Sequence, residues 1–321
     1  MQDIAEQLKS IVSHRLKENE PMHKYTNFRI GGPARYFVEV KTIDELKQVL
    51  QVANDHHLPV AIIGGGSNML VADQGFNGIM IRLLMREIFI DKNRVQAGAG
   101  VPMILLSRKV AEASLAGLEW AITLPGTVGG AVRGNAGCFG GETQDGLVEV
   151  FVLSNGEVVA RTNAELAFGY RESSIKHSAD IILSATFDLK PGDAHVIKQT
   201  MESNLAKRKD SQPLDAGSAG CMFKNYEVSS DDELRRIQSY LELSPAMIAS
   251  HRISAGFIID QLDLKGFQIG DAKVSDKHGN FLVNAGHATA DEVVQLIAFI
   301  KTRARDTYGI ILQEEVQYVG F

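Results

Sequence analysis

Glycine gives the first chemical signal in this sequence. Residues 64–68 read Gly-Gly-Gly-Ser-Asn, and residues 124–141 read LPGTVGGAVRGNAGCFGG. Glycine admits positive φ and lets a backbone approach a ligand closely, and the exposed amides of such a loop can bind phosphate oxygens. Residues 64–66 alone are explained equally well as a turn. Two clusters of this density, each after a strand or helix pattern, favour a phosphate-bearing cofactor. The loop type narrows the choice. No GxGxxG follows the early strands and no GxxxxGK[ST] occurs, which disfavours a Rossmann dinucleotide site and a P-loop. The residues by themselves stop at an anionic cofactor or substrate.

Other reactive side chains are sparse. The two cysteines, Cys138 and Cys221, lie far apart, as neither a disulfide framework nor a zinc pattern would have them. Cys138, His278 and His287 lack metal spacing and read as structural or peripheral, so no metal is expected. Free cysteine is usually a small buried hydrophobe, and composition favours that reading for Cys221. A lone arginine such as Arg171 is most often a surface ion pair.

These loops need elements to hold them. The N-terminal stretch 1–18 is helix-patterned, with Ile4, Leu8, Ile11 and Val12 on one face. Residues 34–40 read as a strand, and Thr42 with Glu45 forms a capping box for the next helix. Residues 59–63 form a short strand running into Gly64. This strand, helix, strand and glycine loop is an α/β unit. Further strands are expected at 78–83, 95–99, 147–154, 157–161 and 180–189, with Asn155-Gly156 as a hairpin turn. A long helix is expected over 101–120 and others over 194–209, 230–241 and 291–305, the last capped by Thr289 and Glu292. Residues 309–319 read as a closing strand. The polar stretch 210–218 carries Pro213 and Gly217 and suits a domain boundary.

At 321 residues, 45% hydrophobic and 22% charged, the chain is an ordinary globular protein, long enough for two or three domains. Its net charge of −6 argues against a nucleic-acid partner. Residues 1–18 lack the apolar core of a signal peptide, and no apolar run is long enough to span a membrane. With so few cysteines, a cytoplasmic place and soluble metabolites are expected.

Ordered blocks then carry a resemblance. IGGGSNML (63–70) resembles the first pyrophosphate loop of the vanillyl-alcohol-oxidase (VAO/PCMH) type of FAD-binding domain, and LPGTVGGAVRGNAG (124–137) its second loop. The second loop has the form found in the UDP-N-acetylenolpyruvoylglucosamine reductase (MurB) family. NFRIGG (27–32), YRESS (170–174), SAGCMFKN (218–225), AGFIID (255–260), KGFQIG (265–270) with VSDKH (274–278), and GIILQEEV (309–316) follow the same family. The resemblance spans roughly residues 20–321.

It implies an α+β fold with a two-part FAD-binding domain, residues 1–80 and 81–209, and a C-terminal α+β substrate-binding domain, residues 210–321. It also implies FAD and NADPH as cofactors, and UDP-N-acetylglucosamine enolpyruvate as the substrate reduced to UDP-N-acetylmuramate. Such chemistry needs a cation or donors on the substrate carboxylate, an acid for the adjacent carbon and a water-poor pocket. By resemblance Arg171 holds the carboxylate and Glu315 assists polarisation. Cys221 stands where the family usually has the serine that protonates the enol carbon. A thiol, with a reference pKa of about 8.5, is the stronger acid and can keep that role. Strand alternation would put Glu314, not Glu315, on the face of Leu312, Val316 and Tyr318, whereas the motif selects Glu315. Gly64, Gly65, Gly66, Ser67, Asn68, Gly126, Thr127 and Gly130 would hold the FAD pyrophosphate, and Lys224 and Asn225 the uridine diphosphate end. Tyr25 and Arg29 are either flavin contacts or scaffold, and Lys265 and His278 are conceivable substrate contacts. A flavin oxidase would share the glycine loops but not SAGCMFKN or the terminal Leu-x-x-Glu-Val. A nucleotide-sugar binding protein without turnover would have lost Arg171, Cys221 or Glu315.

Overall fold

A strand, helix, strand sequence closes as parallel strands joined by a helical crossover. In the computed structural model, which describes residues 3–321, Pro33–Val40 and Val60–Ile63 both pair parallel with Phe76–Leu83. The crossover is the helix Ile43–Asp55, which buries Leu46, Val49, Val52 and Ala53. Its cap differs in detail from a capping box. The Thr42 hydroxyl accepts from Glu45 N, but the Glu45 carboxylate reaches back to Lys41 N and receives the Arg15 fork at 2.8 and 2.6 Å. That arginine holds the Glu45 carboxyl down at about 2.

The chain divides into two compact units. The first comprises Met1–Glu20, Ala34–Gly65 and Phe76–Asp210. Besides the sheet just described it holds a five-stranded antiparallel sheet, in the order Glu157–Thr162, Leu147–Ser154, Ile181–Asp188, Arg94–Gly98, Ile88–Asp91. Asn155 and Gly156 both take positive φ, 49° and 82°, as the tight hairpin turn requires. One core runs through this unit, from Leu8 and Val38 to Phe187 and Leu189.

The second unit comprises Pro21–Pro33, Gly66–Gly75 and Ser211–Phe321. Its sheet runs Gly217–Cys221, Phe281–Asn284, Ala272–Val274, Gln268–Ile269, antiparallel throughout. The long helix Ala290–Tyr308 starts with the expected Thr289–Glu292 capping box and buries Val293, Leu296, Ile297 and Ile300. The Asp73 carboxylate accepts from Ala290 N at 2.8 Å and Asp291 N at 3.0 Å at the same helix start. The closing strand Gln317–Val319 pairs parallel with Met69–Val71.

Three expectations for local structure were too simple. The N-terminal helix covers Ile4–Val12 only, and its apolar face buries Leu8 and Val12. Ser13 then turns at φ 57° and Leu16–Pro21 becomes an edge strand beside Pro33–Val40; residues 1 and 2 lie outside the described residues. The long helix over 101–120 stops at Glu112, because Ser114 and Gly117 take positive φ, and Leu115–Ala116 forms a short strand with Lys190–Pro191. Of residues 309–319, only Gln317–Val319 is strand, preceded by an extended stretch.

Candidate active site

The first glycine loop leaves the end of the parallel strand Val60–Ile63. In the first unit it meets the second loop almost backbone to backbone. A Cβ on Gly64 would lie 2.6 Å from Thr127 Oγ1, and one on Gly65 would lie 2.8 Å from Pro125 O. The second loop is fixed from behind, since Gly126 O accepts from Met103 N at 2.9 Å and Val128 N donates to Val101 O at 2.9 Å. Thr127 is the N-cap of the short helix Val128–Arg133, yet its hydroxyl makes no capping bond. Gly130 lies within that helix. Gly129 lets it close onto a strand end, because a Cβ there would sit 3.1 Å from Ala99 Cβ.

Arg171 sits on a turn docked onto the second loop. Gly169 and Glu172 exchange backbone hydrogen bonds, and Arg171 at the turn takes φ 58°, an uncommon conformation for a side-chain-bearing residue. Its Nη2 donates to Gly137 O at 2.7 Å, and its guanidinium lies 5.1 Å from the Tyr170 ring. Asn135 is fully buried and spends its whole amide here. Its Nδ2 donates to Gly169 O and Glu142 Oε2, and its Oδ1 accepts from Gln144 N. Ser173 Oγ donates to Arg133 O, and Lys176 Nζ donates to Arg171 O at 2.8 Å. Burial pulls the Arg133 guanidinium below its ordinary value, opposed by Glu172. Sequence reasoning singled out Arg171 but not Asn135 and Lys176, which bond to the backbone of its turn. The only sequence trace was their place in LPGTVGGAVRGNAG and just after YRESS.

In the second unit, Cys221 is the last residue of the strand Gly217–Cys221 and is half-buried. Gly220, at φ 79°, makes the bulge that shifts the register before it. One residue on, Met222 O accepts from Glu315 N at 2.8 Å, and Phe223 bridges Glu314. The thiol and the Glu315 residue therefore lie on directly paired segments. Glu315 O accepts from Asn68 Nδ2 at 3.2 Å and Gln317 Nε2 at 3.1 Å, while Gln317 N donates to Asn68 O. So the Asn68 side chain contacts the Glu315 backbone. The alternative carboxylate, Glu314, forms an ion pair with Lys301 at 2.8 Å.

The remaining sequence candidates are held each within its own unit. Gly66, in the second unit, takes φ 61°, and its O accepts from Asn27 N, so the NFRIGG block braces the loop. A Cβ on Gly66 would meet Tyr25 O at 2.0 Å, and Arg29 closes a turn onto Thr26 O. Ser67 is half-buried beside it. Lys224 N donates to Gln313 O, and Asn225 Oδ1 accepts from Ala255 N at the start of the helix Ala255–Gln261. Cys138 shares a 3.2 Å hydrogen bond with Thr123, and burial pushes its thiol up. Burial likewise lowers His278, against Asp260, which forms an ion pair with Lys265. His287 N donates to Asp271. No group of three or more His, Cys, Asp or Glu that could hold a metal occurs among the described residues.

The loops fit the diphosphate of FAD. Gly64 and Gly65 carry no side chain where the loops meet, the Thr127 hydroxyl lies at that contact, and neither 63–70 nor 124–137 contains a carboxylate. A diphosphate needs amides and hydroxyls without competing negative charge.

Known proteins agree over the whole chain. The FAD binding domain family matches residues 34–161, and the C-terminal domain of UDP-N-acetylenolpyruvoylglucosamine reductase matches residues 212–319. The UDP-N-acetylenolpyruvoylglucosamine reductase of Lactobacillus delbrueckii subsp. bulgaricus is 40% identical over 307 residues, covering 95% of each chain. That of Anoxybacillus flavithermus is 37% identical over 324 residues, covering 100% of this chain and 99% of its own. The crystal structure of the Thermus caldophilus MurB is similar with a TM-score of 0.74 at 33% identity, covering 95% of this chain and 98% of its own. The α+β fold and the FAD cofactor implied by the resemblance accord with these matches, and the chain belongs to the UDP-N-acetylenolpyruvoylglucosamine reductase (MurB) family of FAD-containing oxidoreductases.

Proposed function

We propose that the chain reduces UDP-N-acetylglucosamine enolpyruvate to UDP-N-acetylmuramate with electrons from NADPH, as a cytoplasmic step in peptidoglycan-precursor synthesis. The observation that carries this reading is the pairing of the Cys221 segment with the Glu315 segment, Glu315 N to Met222 O at 2.8 Å. It keeps an acid and a carboxylate on adjoining backbone. Residues 1–80 and 81–209 would be the FAD-binding pieces and 210–321 the substrate-binding domain. Gly64, Gly65, Gly66, Ser67, Asn68, Gly126, Thr127 and Gly130 would hold the FAD pyrophosphate, and Lys224 and Asn225 the uridine diphosphate end.

Held by those loop residues, FAD would supply the redox chemistry, passing a hydride equivalent from NADPH to the vinyl carbon. The chain's own residues manage the charge and the proton. Hydride addition leaves the substrate as an enolate beside its carboxylate. Arg171 offers a planar two-pronged donor to that carboxylate, and its turn on the second glycine loop fixes the guanidinium before substrate arrives. Glu315 assists polarisation. Cys221 gives its S–H proton to the adjacent carbon, and the thiolate left behind regains a proton from solvent. The test is anaerobic: the purified protein mixed with NADPH should lose its flavin colour and regain it on adding the enolpyruvyl substrate. A flavin that bleaches but does not recover with this substrate would refute the assignment.

A further inference from the structure

The strand carrying the thiol leaves its sheet just where the reaction needs it fixed. Gly217 and Ser218 pair with Asn284 and Val283, the bulge at Ala219–Gly220 adds a residue, and Cys221 rejoins opposite Phe281. Beyond Cys221 the strand ladder ends, and a single side chain takes over. Asn280 is 2% exposed. Its Oδ1 accepts from Phe223 N at 2.9 Å, and its Nδ2 donates to Phe223 O at 2.8 Å. Its own backbone O accepts from Met222 N at 2.8 Å. A carboxamide has the donor and acceptor of a peptide group, so Asn280 pairs with Phe223 as a neighbouring strand residue would. The other edge of the same residues is satisfied by the terminal segment: Met222 O by Glu315 N and Lys224 N by Gln313 O, both at 2.8 Å.

We infer that Asn280 is a positioning residue for the reduction: its carboxamide clamps Met222–Phe223 from one edge while residues 313–315 hold the other, fixing the Cys221 thiol relative to Glu315. This rests on the proposed role of Cys221 as the acid. Only asparagine fits the clamp. Aspartate keeps the acceptor for Phe223 N but has no donor for Phe223 O. Alanine leaves both buried backbone groups unpaired, and glutamine is one methylene too long. The Asn280 carboxamide is occupied by Phe223 backbone, and its own N donates to His278 Nδ1 at 3.2 Å, so the variants should keep their flavin.

The experiment compares FAD-loaded wild type, Asn280→Ala and Asn280→Asp, each alone and combined with Cys221→Ala. Rapid mixing separates flavin reduction by NADPH from reoxidation by the enolpyruvyl substrate. Flavin reduction should stay within about twofold, while reoxidation slows by about 10–10²-fold, as expected for a reacting group displaced by a fraction of an ångström. In the Cys221→Ala background the Asn280 changes should add less than about twofold, because the two act as one unit. A second readout is the rate at which iodoacetamide alkylates Cys221, followed by peptide mass analysis. That rate should change severalfold in both variants, with Cys138 unchanged as the internal control. Equal slowing of both half-reactions, equal effects with and without Cys221, or an unaltered alkylation rate would overturn the inference. Should Asn280→Ala fail to load flavin, Asn280→Asp carries the test. Failure of both to load would make Asn280 a folding residue and overturn the inference too. If Cys221→Ala alone leaves reoxidation unchanged, the acid assignment fails instead, and the alkylation rates still decide what Asn280 does.

Discussion

Alanine at Gly66 is the sharpest test of the first glycine loop. Gly66 takes φ 61°, a left-handed conformation that costs a Cβ-bearing residue about 1–2 kcal/mol. A Cβ there would lie 2.0 Å from Tyr25 O and 2.9 Å from Thr26 Cα. That wall is backbone tied down by Tyr25 N to Met22 O at 2.9 Å and Asn27 N to Gly66 O at 2.9 Å. It must open from 2.0 Å to the 3.4 Å at which ordinary contact begins, an overpacking worth about 1–3 kcal/mol. Gly66→Ala should therefore lose about 2–5 kcal/mol of stability. Gly64→Ala is the control. Its Cβ would meet only the rotatable Thr127 hydroxyl at 2.6 Å, so about 1 kcal/mol is expected, the cost of an off-rotamer side chain. Adding Thr127→Ala removes that oxygen, whose carbon neighbours lie at 3.7 Å, and should recover most of the loss. Urea unfolding gives the stabilities, and flavin fluorescence titration gives the FAD affinity. The reasoning is refuted if the Gly66 and Gly64 variants agree within about 0.5 kcal/mol, the scatter of inconsequential substitutions.

Arg171→Ala should keep full flavin content and lower kcat/KM for the enolpyruvyl substrate by about 10–10²-fold, the worth of a hydrogen bond to a charged group; unchanged Michaelis parameters would place the carboxylate partner elsewhere. Cys221→Ala should leave flavin reduction by NADPH near normal and slow transfer to substrate by about 10²–10⁴, with Cys221→Ser recovering much of it; stopped-flow measurement of both half-reactions decides. Glu45, held at about 2 by Arg15 against an ordinary 4.5, contributes stability that is present above pH 4.5 and lost as pH falls through 2. Glu45→Gln should accordingly flatten the acid side of the stability profile in that window, and an unchanged profile would show that the ion pair is inconsequential.

Much of the backbone around the candidate site was legible because glycine and cap residues state their backbone demands locally. GGGSN and LPGTVGG marked both loops, Asn155-Gly156 marked the hairpin, and Thr289 with Glu292 marked the last long helix. Period-based reasoning failed where one residue turned the chain. Ser13 ended the first helix and Ser114 with Gly117 broke the helix over 101–120, although their neighbours kept a helical pattern. Alternation does not by itself choose between Glu314 and Glu315, which are both half-buried. Leu312 and Val316 are buried as a strand face would be, yet Tyr318 is 40% exposed, and residues 310–316 are extended without a regular ladder. Asn135 and Asn280 drew no structural reading from the sequence because asparagine in a glycine-rich or turn-like context reads as a turn former. Their hydrogen bonds go to partners such as Gly169 and Phe223, which come from distant sequence.

The second unit is assembled from residues 21–33, 66–75 and 211–321, and this governs how the polypeptide can be made. As it leaves the ribosome, its early pieces wait for partners that are synthesised last. Met69–Val71 pairs with Gln317–Val319, and Asp73 caps a helix that begins at Ala290. Contacts so far apart in sequence slow folding, because the loop must close before they reward it. A fragment cut at residue 211 would lack both the parallel partner of its last strand and the carboxylate at its longest helix. A premature stop before residue 317 would leave Met69–Val71 without its parallel partner.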